Sequence, residues 1–128
     1  MIRKITNYHP IHAFGEECGY LQTIQTEGFK AVEIEYSLDE DYRKQGIMTT
    51  YLPVYLTMLE DRGFTNITAH VQEDNIASKK LLKRNGFVKL NQTRNIETFI
   101  RVTGFKITQR DLETVRSNIV KKRILQDC

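Results

Sequence analysis

Between Val32 and Leu59 the hydrophobic period of the chain changes from two to helical, and one glycine marks the change. Across Lys30–Leu38, Val32, Ile34, Tyr36 and Leu38 alternate with Glu33, Glu35 and Ser37. This alternation predicts a strand with one apolar face and one face bearing two carboxylates. After Gly46, Ile47, Tyr51, Val54, Tyr55, Met58 and Leu59 recur at helical spacing, up to Gly63 as a stop signal. Pro53 falls inside this helix, where it deletes a backbone hydrogen bond and is expected to kink it. A strand, a glycine turn and an amphipathic helix in that order commit the chain to helices layered on a sheet.

The remaining segments extend the same scheme. Gly19–Gln25 and Lys30–Leu38 flank "TEGF" and predict an antiparallel hairpin, within a first thirty residues that read as strands. Asn66–Val71 reads as a strand. "DNIASKKLLKRNGF" reads as a helix offering Ile76, Leu81 and Leu82 for burial and ending at Asn85-Gly86. Asn95–Thr103 reads as a further strand. A terminal helix is expected over Gln109–Gln126, opened by Thr108 and Asp111 as a variant capping box, with Leu112, Val115 and Ile119 as its apolar stripe. The expected architecture is a mixed α/β sheet in one domain: strands over 1–30, a core over 31–103, and the helix over 108–126.

Composition narrows the function classes. With 128 residues, 40% hydrophobic and 27% charged, the chain suits a single globular core. No apolar run reaches the roughly 18–20 residues that cross a bilayer, so no membrane partner is expected. A net charge of +3 is too small to argue for nucleic acid, and "KKR" at Lys121–Arg123 reads as a solvated face. Cys18 and Cys128, like His9, His12 and His70, lack metal-ligand spacing, so no metal is expected. The first residues show no apolar signal segment, and a cytoplasmic setting is the expectation.

The basic glycine turn is suited to an anion. The first amides of a helix have no intrahelical partner, and the helix dipole adds partial positive charge there. Gly46 lets a phosphate approach the main chain, Arg43 and Lys44 add charge, and Thr49 or Thr50 a hydroxyl. The same residues serve equally as an exposed basic turn capped by glycine. Neither a P-loop nor G-x-G-x-x-G is present, which excludes those two nucleotide sites.

One strand downstream, "NIASKKLLKRNGF" (Asn75–Phe87) supplies a second motif. Together with "VEIEYSLDEDYRKQGIMT", it resembles the GNAT superfamily of N-acetyltransferases, in particular the branch that acetylates ribosomal-protein N-termini. The matched elements run from about Val32 to Leu90 in the family's order. The resemblance implies a mostly antiparallel sheet with flanking helices, and acetyl-CoA as co-substrate. It implies that amides of Gln45, Gly46, Ile47 and Met48, flanked by Arg43, Lys44 and Thr49, cradle the pyrophosphate. It implies further that main-chain groups of Tyr36, Ser37 and Leu38 pair with the pantetheine arm, and that Asn75 and Ser78 face the same ligand. Asn75 read alone is an ordinary N-cap.

The chemistry implied is acetyl transfer to a primary amine of a small molecule, peptide or protein. Glu33 and Glu35 are the candidate bases, with solvated sheet-face acids as the alternative. Many relatives carry a proton-donating tyrosine four residues before the "GF" glycine. That position is Leu82 here, so Ser78, Tyr51, Tyr55 or water stands in, or the chain is a non-catalytic acyl-CoA-binding module. Relatives usually place a strand and two helices ahead of the hairpin, whereas the thirty residues ahead of Ala31 read here as strands, so a shortened N-terminal region is expected. The terminal helix, from the same chain or from the second subunit of a homodimer, is the candidate to complete the acceptor wall.

Overall fold

The computed structural model describes residues 3–103; the terminal helix expected over Gln109–Gln126 lies outside them. Strands β1 (Lys4–Ala13), β2 (Glu16–Thr26) and β3 (Ala31–Leu38) come first, followed by a short 3-10 turn at Glu40–Tyr42 and helix α1 (Ile47–Asp61). Then come β4 (Asn66–Gln72), α2 (Ile76–Arg84), β5 (Val88–Thr93) and β6 (Ile96–Val102). They form one sheet in the order β1-β2-β3-β4-β6-β5. Every neighbouring pair is antiparallel except β3 and β4, which run parallel. A parallel pair needs a crossover connection, and α1 supplies it.

The core lies between the helices and one face of the sheet. Val32 and Ile34 of β3, Ile67, Ala69 and Val71 of β4, and Phe99 of β6 are buried there. They meet Met48, Leu52, Tyr55, Leu56 and Leu59 of α1 and Leu81 and Leu82 of α2. Burying one large apolar side chain is worth about 1.5–3 kcal/mol, so this shared face decides where the helices sit. The buried stripe of α1 is rotated from the one that the sequence suggests: Tyr51 and Val54 are exposed, while Met48, Leu52 and Leu56 face inward. Two apolar series share the same helical period in this segment, and the one with the two leucines and the methionine packs. Ile76 is likewise exposed, against its expected burial.

Helix α1 passes through Pro53 as one 15-residue element. Phe29 amide bonding to Thr26 and a left-handed Gly28 close the expected hairpin between β2 and β3. Near the far end of that hairpin, Gly19 pairs with Leu38. A Cβ on Gly19 would overlap the Ser37 carbonyl oxygen and the Leu38 backbone, so only glycine lets the two strands approach this closely.

The register of the parallel pair opens the sheet at one end. β3 pairs with β4 only from Ala31–Asn66 to Ile34–Ala69. Beyond that point β3 stays paired to β2 through Leu38, and β4 to β6 through Gln72. The sheet therefore forks, and among the described residues nothing pairs with 35–38 on the β4 side.

Candidate functional site

A cleft of about 660 Å³ opens beside this fork, between the end of β3, the glycine turn and the start of α2. Tyr36, Ser37 and Leu38 form one wall, and Asn75, Ser78 and Leu81 the opposite one. Arg43, Lys44, Gly46, Ile47, Met48 and Thr49 close one end. The fold thus brings the strand end and the glycine turn, which are close in sequence, against the start of α2, which is not.

The turn is built as its sequence suggests. Gly46 caps α1 with φ 77°, and no side chain caps the helix there. The first helical bond runs from the Thr50 amide to the Gly46 carbonyl at 3.1 Å, so the amides of Ile47, Met48 and Thr49 precede the helical ladder. Among the described residues a Cβ at Gly46 would meet nothing within 4 Å, which leaves open space against the main chain. Lys44 is also left-handed at φ 63°. The approach to the turn is anchored by Tyr42, whose hydroxyl donates to Glu16 Oε2 at 2.6 Å. That carboxylate, aided by partial desolvation, pushes the phenol up to about 12.

Two expected contacts take a particular form. Arg43 Nε donates to the Leu38 carbonyl at 3.0 Å, tying the turn to the end of β3. Gln45 donates its side-chain amide to the Asp41 carbonyl and is not part of the cleft lining. Cations that sequence reasoning missed supply more charge: Lys80 and Arg84 stand one turn apart on α2 and line the cleft with Arg43 and Lys44. Their i, i+4 spacing on the helix face was the available signal.

Asn75 is the N-cap of α2, accepting from the Ser78 amide at 3.1 Å. It holds Ser78 at the cleft, where Ser78 Oγ meets the Tyr36 hydroxyl at 2.7 Å. Burial pushes the Tyr36 phenol above its ordinary value, partly offset by the Ser78 hydrogen bond. Sequence reasoning missed the Tyr36 ring, since only its main chain carries a role there. Its place on the apolar face of β3, at the end where that face becomes the cleft wall, was the signal. The other candidate hydroxyls do not line the cleft: Tyr51 donates to the His12 carbonyl at 3.2 Å, and Tyr55 is buried in the core. Leu82, at the position of the absent tyrosine, is wholly buried in the core.

Glu33 and Glu35 alternate with Val32 and Ile34 and so lie on the sheet face away from α1 and α2. They do not line the cleft. Glu33 Oε1 lies 2.9 Å from His70 Nε2, and Glu35 accepts a long 3.4 Å contact from Gln22. Among the described residues, no helix is long and apolar enough to cross a membrane.

A family model described as an acetyltransferase (GNAT) domain matches residues 7–88, more than half of the chain. No curated protein matches it. Among solved structures it is similar to RimL, a ribosomal L7/L12 alpha-N-protein acetyltransferase in complex with coenzyme A. Identity is 28% and the TM-score 0.65, over 76% of this chain and 62% of that one. It is also similar to the acetyl transferase from Salmonella typhimurium that modifies the N-terminal serine of 50S ribosomal subunit protein L7/L12. There identity is 26% and the TM-score 0.62, over 77% and 64% of the two chains. The PaiA N-acetyltransferase from Thermoplasma acidophilum, in complex with coenzyme A, shares the fold at 14% identity and a TM-score of 0.67, over 77% and 61%. The chain thus spans less than two thirds of the length of each of these proteins.

Proposed function

Because the chain belongs to the acetyltransferase (GNAT) domain family, we propose that it transfers an acetyl group from acetyl-CoA to a primary amine of a small molecule, peptide or protein. The observation that carries this reading is the fork. Main-chain groups of residues 35–38, unpaired on the β4 side, offer a strand edge to which an amide-bearing pantetheine arm can add. At the end of that edge the amides of Gly46 to Thr49, with Arg43, Lys44, Lys80 and Arg84 around them, suit a diphosphate and a further phosphate. A cleft of about 660 Å³ is of the size that takes a molecule of this kind.

In the reaction a C–N bond forms and the C–S bond of the thioester breaks. Holding both reactants in one cleft supplies much of the rate. A main-chain amide at the end of β3 polarises the thioester carbonyl. The ammonium of the acceptor loses its proton to Glu33, with Glu35 beside it on the same face. The departing thiolate takes a proton from the Tyr36–Ser78 pair, whose hydroxyls already share a hydrogen bond, and the second proton that the nitrogen sheds as the amide forms returns to that pair through water. Asn75 keeps Ser78 in place. The acceptor enters from the face that carries Glu33, and we propose the cytoplasm as its setting and a second copy of the chain as a contributor to the acceptor wall.

A second reading is favoured by one observation: Leu82 fills the core where relatives keep a proton donor. On that reading the chain binds acyl-CoA and does not turn it over. The two are separated by free-thiol release from acetyl-CoA in the presence of a panel of amines. A peptide with an N-terminal serine comes first, since a structural neighbour modifies one. Thiol release that depends on the amine supports the enzyme; calorimetric binding without release supports the binding module. Absence of binding removes both.

A further inference from the structure

At the root of the fork, on the face opposite the helices, three strands contribute one polar chain. Glu33 of β3 meets His70 Nε2 at 2.9 Å, and His70 Nδ1 meets Thr98 Oγ1 of β6 at 2.8 Å. His70 is the first residue of β4 past its last partner on β3, the Ile34–Ala69 pair. We infer that His70 is the positioning residue that aims the Glu33 carboxylate at the acceptor amine, an inference resting on the acetyl-transfer reading above.

Donor and acceptor chemistry fixes the roles. An ionised carboxylate only accepts, so Nε2 carries the proton that bridges to Glu33 Oε1. In the neutral imidazole Nδ1 is then an acceptor, and the Thr98 hydroxyl donates to it. The Glu33 carboxylate thus selects the tautomer, and the rotatable Thr98 hydroxyl supplies the donor that steadies the ring in it. One carboxylate oxygen is engaged and the other, Oε2, is left for the amine. The side chains of His70 and Glu33 are 47% and 36% exposed, so a proton taken from the acceptor can pass on to water. Among the described residues the other charged group that the register puts beside His70 on this face is Glu35, one pleat along β3. The neighbouring side chains from β2 and β6, Gln22, Ile24 and Thr98, carry no charge. Among the described residues, two carboxylates and no fixed cation thus make this side attractive to an ammonium acceptor.

A surface ion pair without a catalytic role would leave the kinetics alone, and this is what the test discriminates. Thiol release from acetyl-CoA is followed with a serine-initiated peptide and with spermidine as acceptors, for the wild type, His70→Ala, His70→Gln and Thr98→Val. His70→Ala is expected to lower kcat/KM for the acceptor by about 10- to 100-fold, the size of losing a partner that orients a functional group and at or below the full contribution of a general base. The KM for acetyl-CoA stays within about twofold, because His70 does not line the cleft proposed for that co-substrate. The acid limb of the pH–rate profile moves. His70→Gln restores most of the rate, since its amide can donate to Glu33 from the place of Nε2. Thr98→Val changes the ring-nitrogen NMR signature of His70, with His9 and His12 as internal references. An unaltered profile in His70→Ala, or His70→Gln as impaired as His70→Ala, overturns the role of His70 while leaving the acetyl-transfer reading intact. A wild type that releases no thiol with either acceptor overturns that reading and this role together.

Discussion

The Tyr36 hydroxyl and Ser78 Oγ stand 2.7 Å apart, joining the end of β3 to the first turn of α2 across the cleft. Because burial raises the Tyr36 phenol, it stays protonated through neutral and mildly alkaline pH and can act as a donor there. Tyr36→Phe is expected to lower the rate of thiol release by about 10²-fold, with affinity for acetyl-CoA nearly unchanged. In the wild type the alkaline loss of rate should fall above the ordinary tyrosine pKa, since the shift is upward. A pH–rate profile set beside ultraviolet titration of the phenols checks both.

Gly46 holds a left-handed φ next to open space. Gly46→Ala adds a strained Cβ at a cost of about 1–2 kcal/mol, measurable by denaturant unfolding. Gly46→Glu should do more, putting a negative side chain where phosphates are proposed to sit. Calorimetry is expected to show acetyl-CoA binding abolished, and unchanged affinity would remove the phosphate assignment.

Gly19 tests the strand that carries the cleft wall. Gly19→Ala drives a methyl group into the Ser37 and Leu38 backbone, so β2 and β3 must separate. Overpacking of this kind costs about 1–3 kcal/mol. Chemical denaturation should show the loss, together with weaker cofactor binding, because Ser37 and Leu38 line the cleft.

The carboxylate of Glu97 is buried between Lys79 at 2.7 Å and Lys89 at 3.0 Å. Those bonds, Lys79 first, hold it below the ordinary carboxylate range. A depressed carboxyl stabilises the fold above its unfolded pKa and loses that contribution as pH falls through the folded value. The thermal midpoint should therefore drop on acidification, and Glu97→Gln should flatten that acid slope. A slope of equal steepness in the variant would assign the acid sensitivity elsewhere.

How far the sequence can be read depends on which signals are local. The glycine turn, the Asn75 cap and the alternation across β3 are encoded within a few residues, and all three are legible. Strand β5 is not, because Val88–Thr93 is short and largely polar and takes its conformation from pairing with β6. β1 is legible only as part of a strand-rich start, since Pro10 and a run of polar residues hide its alternation. The partners of Glu33 cannot be seen at all: His70 and Thr98 reach it from two other strands, and nothing along the chain couples their spacing. The packed face of α1 escapes for a related reason, because periodicity names candidate stripes and only the sheet chooses between them.

The break between β3 and β4 divides the sheet into two blades, β1-β2-β3 and β4-β6-β5, stitched by only four residue pairs. A molecule lying in that gap would serve as a seventh strand and lash the blades together. Loading should then slow amide exchange along both lips of the seam at once, so that the guest completes the architecture of its host.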